Sequence, residues 1–438
     1  MNGSSINNSR ERDSTDEIIK IWWMNINCES LWEKGSEGTY SSTINKYENY
    51  SIEYQDQLCL LLAAPIDVVI LRKQPGKLFL SHLVKYKERL PTIWVVNDKL
   101  NPNISECILY DKEIIDRLTS LGLHNKCMLM PYGITHIEEI ISARCGISIY
   151  GSGSKSSRMI NCKVFAREFA KMLSFPVSPG GVFWSGNEAN NWIRDTHQQY
   201  PLVMKVPYGS SGKGVHVVRN HKELNAIIKI LSLHSNIFPI IVEKWFENCI
   251  SINYQFYIDE RGKTYYSLPK NQIMRGSVFR GCDGVTRNHR LNEEQQKYIK
   301  FVQEKMAREL FRQGHYGMFS VDGLVLEDGN IIPILEINGR FSMTTYISQI
   351  CQKLGHEKDV HFEYINIKPI SEYAFIDRAK EYFFTKERGE GVILCSFNPG
   401  KVGINPGRVF LIYISNSMQE LSLLRDSFRM VFCDIVLV

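Results

Sequence analysis

The chain has 438 residues, of which 44% are hydrophobic and 23% charged, so wholesale disorder and collagen-like repetition are excluded. Lysine and arginine total 52 against 47 aspartates and glutamates, an excess too small to indicate a nucleic-acid partner. A chain of this length is expected to contain about three domains.

The sequence also argues against a membrane or secreted protein. The most apolar stretch, Leu58 to Leu71, is interrupted by Pro65 and Asp67, whereas a membrane-spanning helix needs about 20 apolar residues. The N-terminus is polar and contains no apolar signal segment. The 11 cysteines are scattered without a CxxC pair, so we expect reduced thiols in a cytoplasmic protein.

Short β-branched runs alternate with helix-like stretches after a polar N-terminal segment whose first residues are predicted to be disordered. Strands are predicted at 65–71, 92–98 and 127–133, and helices at 77–88 and 111–121. This alternation indicates a parallel α/β layer. The Gly/Ser-rich segment Gly151–Ser157 is interpreted as a loop or linker that ends it.

The second half of the chain mixes strands, helices and hairpins. Helices are predicted at 161–173, 292–313 and 417–428, and strands at 201–218 (two, around a glycine-rich turn), 238–246, 252–258, 317–339 (a hairpin), 391–395 and 409–414.

The predicted hairpin Gly317–Gly339 brings carboxylates together. With a three-residue turn at Asp328-Gly329-Asn330, Asp322 lies directly opposite Glu336. Because side chains alternate along a strand, Asn338 shares their face. Two carboxylates and an amide suit Mg²⁺, which takes its other ligands from phosphates and water. The alternative is an exposed hairpin end with ordinary surface acids, and a different turn register would put Asp322 and Glu336 on opposite faces.

Lys205 stands between Met204 and Val206 in an apolar run, so its ammonium group must reach solvent or meet an anion. Soon after it comes the tract Gly209, Ser210, Ser211, Gly212, Lys213 and Gly214. Such a tract forms a tight turn whose N–H groups can face phosphate oxygens. No Walker A pattern is present, and a plain β-turn is the alternative.

The run Ile241–Phe246 is an apolar strand that ends in the residues Glu243, Lys244, Trp245 and Phe246. Such an end can line a purine pocket, with the strand backbone facing the edge of the base. The alternative is an ordinary strand that leaves the core.

The order of these motifs along the chain resembles that of the ATP-grasp superfamily. The order is the lysine, the glycine-rich hairpin, the Glu-Lys-Trp strand end and the Asp…Glu-x-Asn hairpin. In that family a nucleotide is clamped between two α+β subdomains, and its γ-phosphate is transferred to a substrate carboxylate. The resemblance covers about residues 161–350. It implies an ATP-grasp fold, of mixed α+β and α/β class, behind a Rossmann-like domain. We expect a flexible segment at 1–50, the preceding domain at 51–155, the ATP-grasp domain at 156–365 and a small C-terminal domain at 366–438.

The resemblance assigns roles to individual residues of this chain. Lys163 and Lys205 are expected to bind the phosphates of ATP, the tract Gly209–Gly214 to act as a lid, and Glu243–Phe246 to hold adenine. The implied ligands of Mg²⁺ or Mn²⁺ are Asp322, Glu336 and Asn338. Arg340, in Glu-Ile-Asn-Gly-Arg, matches an arginine that faces the phosphate or the acyl intermediate.

Two departures from the family pattern stand out. The acidic residue that usually holds the ribose is not evident, since Ile250 and Ser251 occupy that stretch. D-alanine ligases carry an arginine where this chain has Ser320, so D-alanine ligation is not expected. Arg275 or Arg280 is the candidate for that charge.

The resemblance implies an ADP-forming ligase that activates a carboxylate, that of an amino acid, as an acyl phosphate. The acceptor is an amine or the thiol of an acyl carrier protein. The layout is similar to the pheganomycin-type peptide ligases and the butirosin-type glutamate–acyl-carrier-protein ligases, which act in antibiotic biosynthesis. A peptide ligase, a kinase and a non-catalytic ATP-binding protein of the same fold are the alternatives.

Overall fold

The structure, a computed structural model, describes residues 17–26, 28–33, 52–98, 103–209, 214–233 and 237–437. These residues form three β-sheets with helices packed against them.

The N-terminal layer is a parallel five-stranded sheet in the order β3-β2-β1-β4-β5. Its strands are β1 (Ile19–Trp23), β2 (Val68–Leu71), β3 (Thr92–Val95), β4 (Cys127–Pro131) and β5 (Ser148–Ile149). Its helices are α1 (Glu29–Glu33), α2 (Cys59–Leu62), α3 (Lys77–Val84), α4 (Ile104–Tyr110), α5 (Lys112–His124) and α6 (His136–Cys145), with a 3₁₀ turn at Gln55–Leu58. Parallel strands need crossover connections, which the helices supply. The predicted Rossmann-like layer is confirmed.

Strand β1 corrects the prediction that residues 1–50 are a flexible N-terminal segment. It lies in the middle of the parallel sheet, and its Ile21 and Trp23 are fully buried. The strand is five residues long and follows a polar stretch, so its apolar pattern is too short to stand out in the sequence. Residues 1–16, whose disorder the composition predicts, lie outside the described residues.

The second sheet is small and antiparallel, in the order β6-β9-β7-β8. Its strands are β6 (Gly180–Phe183), β7 (Leu202–Lys205), β8 (Val215–Val218) and β9 (Ile240–Lys244). It shares one apolar core with α9 (Gly186–Asp195) and α10 (His221–Ser232). As predicted, the strands β7 and β8 flank the glycine-rich tract.

The third sheet has ten strands, in the order β15-β14-β10-β12-β13-β16-β18-β17, with β11 beside β10 and β19 beside β16. Its strands are β10 (Ile250–Ile258), β11 (Thr264–Tyr266), β12 (Lys270–Arg275), β13 (Val278–Asp283), β14 (Gly317–Val325), β15 (Ile331–Asn338), β16 (Asp359–Ile367), β17 (Gly391–Asn398), β18 (Gly407–Ser415) and β19 (Val436–Leu437). We refer to it as the central sheet.

Helices cover both faces of the central sheet. They are α7 (Ser154–Ile160), α8 (Lys163–Met172), α11 (Glu293–Arg312), α12 (Met343–Leu354), α13 (Glu372–Ala379) and α14 (Met418–Val431), with a 3₁₀ turn at Lys380–Tyr382. The helices α8 and α11 bury their apolar stripes against β10, β14 and β15. The predicted linker at residues 151–157 is corrected in part, because α7 begins at Ser154.

The small C-terminal domain predicted at 366–438 is also corrected. The strand β16 crosses the proposed boundary and pairs with both β13 and β18, so the C-terminal strands extend the central sheet. Their residues share a core with α2 and α3 of the N-terminal layer. The boundary was missed because strand partners far apart in the chain leave no local signal in the sequence.

Within the described parts of the chain, no helix is both long enough and apolar enough to cross a membrane.

Candidate functional site

A cavity of about 540 Å³ lies between the small sheet and the central sheet. It brings together most of the residues to which the sequence assigned a role. Its walls include Lys163, Lys205, Gly209, Glu243, Lys244, Trp245, Phe246, Asp322, Glu336, Asn338 and Arg340.

The predicted pairing of Asp322 with Glu336 is confirmed, although the turn differs from the prediction. Val325 pairs with Ile331, and the N–H of Leu326 donates to the carbonyl oxygen of Asn330, so the three-residue turn lies at 327–329, one residue earlier than predicted. The register then shifts along β15, and this irregularity at Pro333 restores the pairing of the two carboxylates. Proline is tolerated at such a bulge because it has no N–H to donate to the ladder.

Amide side chains hold Asp322 in place. Its Oδ1 accepts hydrogen bonds from Asn253 Nδ2 at 2.8 Å and from Gln272 Nε2 at 3.0 Å. On its other oxygen, the Nδ2 of Asn338 approaches to 3.5 Å. Burial, and then the charge of Glu336, raise the pKa of Asp322 to about 6. The buried Asp322 carboxyl therefore holds its proton more tightly than a carboxyl in water does.

Mg²⁺ fits this donor set. Asp322, Glu336 and Asn338 offer hard oxygen atoms, and a cation would relieve the repulsion that raises the pKa of Asp322. The described residues contain no group of three or more His, Cys, Asp or Glu side chains arranged to hold a metal. Two carboxylates with one amide match an ion that takes its remaining ligands from phosphates and water.

Lys163 begins helix α8 and is buried. Its Nζ donates to the carbonyl oxygen of Gly209 at 2.8 Å and lies 3.1 Å from Glu336 Oε1. The backbone N–H of Lys163 donates to the Pro207 carbonyl at 2.8 Å, which ties the helix start to the glycine-rich tract. The lysine assigned to phosphate thus stands beside a carboxylate assigned to the metal.

Lys205 meets an anion, as its apolar surroundings predicted, and the anion is Glu243. The same carboxylate accepts from Arg167 Nη1 at 2.7 Å, while Arg167 Nη2 donates to the carbonyl oxygen of Gly180 at 2.6 Å. All three charged groups are buried. Glu243 therefore positions Lys205, a role different from the predicted contact with adenine.

The strand end that follows Glu243 does line the cavity. Lys244 is exposed, whereas Trp245 and Phe246 are half-buried. The Lys244 ammonium lies 5.1 Å from the centre of the Phe246 ring. Ser251, in the stretch where the ribose-binding acid is expected, also lines the cavity.

The glycine-rich tract is described only at its ends. Gly209 lines the cavity, and Gly214 has a φ of 74°, where a Cβ atom would come within 2.3 Å of Val206 Cγ2. Ser210, Ser211, Gly212 and Lys213 lie outside the described residues.

Arg340 reaches the cavity from the end of the β14–β15 hairpin. Its Nη1 donates to the Tyr132 hydroxyl and to the carbonyl oxygen of Phe341, and its Nη2 lies 2.8 Å from Glu29 Oε1. Burial acts to lower the pKa of Arg340, but the neighbouring Tyr132 and Glu29 outweigh it and raise the pKa. Two groups of the N-terminal layer therefore fix this arginine.

Arg280 does not lie on the cavity wall, although its neighbour Phe279 does. Its guanidinium lies 5.3 Å from the centre of the Tyr364 ring. Arg275, the other candidate, is exposed at the end of β12. Neither residue takes the position predicted for a charge beside the metal site.

Sequence reasoning missed the residues that hold the site from outside: Arg167, Asn253, Gln272, Tyr132 and Glu29. Arg167 had a local signal, since it follows Lys163 by four residues and so shares its face of α8. The others come from strands and loops far from the motifs, and the residues adjacent to them in the sequence form no recognisable motif.

Comparisons with known proteins agree with this geometry. The family model for the carbamoyl-phosphate synthase L chain, ATP binding domain, matches residues 163–352. One curated relative is the [butirosin acyl-carrier protein]–L-glutamate ligase of Niallia circulans, which is 25% identical over 337 residues, or 75% of this chain and 73% of the relative.

Two solved structures share the fold. The ADP complex of purK, an N5-carboxyaminoimidazole ribonucleotide synthetase, has a TM-score of 0.58 at 13% identity and covers 94% of this chain and 96% of its own. The biotin carboxylase domain of Hydrogenobacter thermophilus 2-oxoglutarate carboxylase, with MgADP, has a TM-score of 0.58 at 16% identity and covers 95% of this chain and 90% of its own.

The family match at 163–352, the paired carboxylates and the lysines of the cavity show that this chain contains an ATP-grasp domain and is an ADP-forming ligase that uses ATP with Mg²⁺.

Proposed function

We propose that the chain activates the carboxylate of an amino acid, most simply L-glutamate, and transfers the acyl group to the thiol of an acyl carrier protein. One observation supports the ligase activity: a single cavity is lined by three cationic side chains and two carboxylates. These are Lys163, Lys205 and Arg340 with Asp322 and Glu336. The substrate and the acceptor rest on the butirosin relative, whose name gives both. A role in antibiotic or other secondary metabolism and a cytoplasmic location belong to the same proposal.

The proposed chemistry has two steps. A carboxylate oxygen attacks the γ-phosphorus of ATP, which forms an acyl phosphate and releases ADP. A thiol, or an amine, then attacks the acyl carbon and releases inorganic phosphate. The first step depends on positioning and on neutralising charge spread over the phosphoryl oxygens. Lys163, Lys205 and Arg340 supply positive charge for that purpose.

Mg²⁺ would be held by Asp322, Glu336 and Asn338, and when bound it would neutralise phosphate charge. Asn253 and Gln272 orient Asp322 through its Oδ1, which leaves Oδ2 turned toward Asn338. Glu243 and Arg167 keep Lys205 at the cavity wall. The segment between Gly209 and Gly214 is proposed to close over the site and exclude water, which would otherwise hydrolyse the acyl phosphate.

No cysteine of the chain takes part in this proposal. None of the 11 cysteines is part of a disulfide, and burial is the main cause that raises the pKa of several of them, including Cys282, to about 12, and Cys107, to about 11. A thiol with a raised pKa is a poor nucleophile at neutral pH.

The alternative is a peptide ligase, in which an amine replaces the carrier thiol. ADP release from the purified protein tests both candidates. Single amino acids would be supplied with MgATP, with and without a phosphopantetheinylated carrier protein or a second amino acid. ADP release that needs L-glutamate, and acylation of the carrier seen by mass spectrometry, would support the proposal. Phosphorylated product without any acceptor transfer would identify a kinase and contradict it.

A further inference from the structure

We propose that Ser251 and Gln272 form a hydrogen-bond relay that couples a ribose hydroxyl of the bound nucleotide to Asp322, a carboxylate proposed to hold the metal. The inference rests on the metal site of the proposed function, but it holds whichever carboxylate and acceptor the ligase uses. It gives a role to residues 250–251, where the acidic residue expected to hold the ribose is not evident.

The three side chains lie on one wall of the ATP cavity. Ser251, Gln272 and Asp322 all line it. Asp322 pairs with Asn253, and Ser251 stands two residues before Asn253 on β10, so Ser251 and Asp322 share a face of the central sheet. Gln272 belongs to β12, on the other side of β10, and reaches over β10 to Asp322. A continuous polar strip therefore crosses three neighbouring strands.

The directions of the hydrogen bonds in this strip are fixed. Gln272 Nε2 donates to Asp322 Oδ1 at 3.0 Å, and Ser251 Oγ donates to Gln272 Oε1 at 2.7 Å. Because a carboxylate accepts hydrogen bonds, the amide turns its NH₂ group toward Asp322 and its oxygen toward Ser251. The serine uses its one O–H on that oxygen and faces the cavity as an acceptor. A ligand group that binds Ser251 must therefore be a donor, such as a hydroxyl.

The position of Ser251 matches the ribose. Trp245 and Phe246, which the sequence assigns to adenine, line the cavity at the strand end that precedes β10. Asp322, at the metal end, is joined to Ser251 through a single amide group. In ATP the ribose connects the base to the phosphates that bind the metal, and its hydroxyls are donors. A neutral serine here also avoids a third negative charge near the two carboxylates of the metal site.

The relay acts by holding side chains in place. Hydrogen bonds from outside a metal site orient its carboxylates, and Gln272 supplies one to Asp322 beside that of Asn253 Nδ2 at 2.8 Å. When Mg²⁺ fixes Asp322, it also fixes Gln272 and, through it, the acceptor face of Ser251. Coupling between two ligands is reciprocal, so a bound ribose hydroxyl should favour Mg²⁺ as much as Mg²⁺ favours the hydroxyl.

The first test uses the wild-type protein and needs no turnover. Calorimetry would compare ADP with 2′-deoxy-ADP and 3′-deoxy-ADP, each with Mg²⁺ and with EDTA. With Mg²⁺, ADP should bind about fivefold more tightly than at least one deoxy nucleotide, the value of one hydrogen bond, and with EDTA the preference should fall to about twofold or less. Equal affinities for all three nucleotides with Mg²⁺ would overturn the relay. A preference that is the same with and without Mg²⁺ would overturn the coupling to Asp322.

The second test changes the relay itself. Ser251→Ala should remove the preference for ADP, whereas Ser251→Thr, which keeps a hydroxyl, should retain it. Gln272→Met is similar in length but has no amide, so it should leave a preference that no longer depends on Mg²⁺ and weaken Mg²⁺ binding to the ADP complex about tenfold. The matched control is Ser277→Ala, another serine of the cavity wall, which should keep the wild-type preference.

An unchanged preference for ADP in Ser251→Ala would overturn the relay. Failure of the relay can be told apart from failure of the proposed function, because these binding measurements include no carboxylate substrate. A Mg²⁺-dependent preference for ADP in a protein that releases no ADP with any amino acid would support the relay and reject the proposed ligation.

Discussion

Lys163 Nζ lies 3.1 Å from Glu336 Oε1, so the lysine assigned to phosphate contacts a carboxylate assigned to the metal. The lysine side chain is almost fully buried, and the glutamate is about three-quarters covered. Each group offsets the charge of the other in a poorly solvated place. When MgATP binds, Mg²⁺ can take the place of the lysine beside Glu336, and a phosphate oxygen can take the place of the glutamate beside Lys163. MgATP can therefore replace the ion pair and leave both side chains with a partner of opposite charge.

Replacing Glu336 by Gln should abolish ADP release while the fold is kept, because the change removes one charge and almost no volume. It should also abolish the stabilisation that Mg²⁺ adds to ADP binding. Calorimetry of ADP binding with and without Mg²⁺ measures this directly. The matched control is Glu327→Gln, an exposed glutamate of the same hairpin, which should behave as wild type. Near-normal turnover by the Glu336 variant would exclude this residue from the site.

Replacing Lys205 by Met should weaken ATP binding by about tenfold or more, because the side chain is presented to the cavity from an apolar strand. Isothermal titration with ATP measures the affinity. An unchanged affinity would show that Lys205 serves only its ion pair with Glu243.

Glu243→Gln should cost about 3–5 kcal/mol of stability, because it leaves Lys205 and Arg167 buried without their anion. Chemical denaturation of the variant measures the loss. Glu247→Gln, on the exposed strand end nearby, is the control and should change the free energy of unfolding by less than about 0.5 kcal/mol. A small loss at Glu243 would mean that solvent reaches these charges.

The parts of the site that could be predicted are those whose residues lie close together in the sequence. The pairing of Asp322 with Glu336 follows from strand alternation within one hairpin, and it survives even though the turn and the bulge both differ from expectation. Two deviations cancel, since a turn placed one residue earlier shifts the register and the irregularity at Pro333 shifts it back. A pattern of apolar and polar residues constrains the face of each strand more strongly than it constrains the turn.

The long-range parts of the fold could not be predicted in this way. The joining of β16 to β13 and β18 is decided by partners far apart in the chain, and no local pattern encodes it. The same holds for Glu29, which contacts Arg340 more than three hundred residues later. Glu243 shows a further limit, because its place at a strand end fits a nucleotide contact and an ion pair equally well.

Glu29 should act on catalysis through Arg340. Glu29→Gln should lower kcat about tenfold and leave the affinity for ATP unchanged, because the guanidinium loses its charged partner but keeps Tyr132 and the Phe341 carbonyl. Kinetics at saturating ATP and calorimetry with ATP separate these effects. Rescue of kcat by Glu29→Asp would support a positioning role. A fall in ATP affinity equal to the fall in kcat would indicate a merely structural role.

Asp56 should make the stability of the chain depend on pH. Its carboxyl is buried, Oδ2 accepts from the backbone N–H of Arg72 at 2.8 Å, and burial is the main cause that raises its pKa to about 7. In the unfolded chain the pKa is about 3.9. The folded state therefore binds the proton more tightly, and stability falls as the pH rises from about 4 through about 7. Asp56→Asn keeps an oxygen for the Arg72 N–H but carries no charge at any pH.

The variant should therefore be more stable than wild type at pH 8, by about 4 kcal/mol, and should lose that advantage near pH 4. Urea denaturation across this range measures the difference in the free energy of unfolding. Asp328→Asn provides the opposite control, because hydrogen bonds from Asn330 lower the pKa of this exposed carboxyl. Its small effect should run in the other direction, since a carboxyl with a lowered pKa adds stability at high pH that is lost in acid. A constant difference between Asp56→Asn and wild type from pH 4 to pH 8 would show that the Asp56 carboxyl does not titrate in the folded chain.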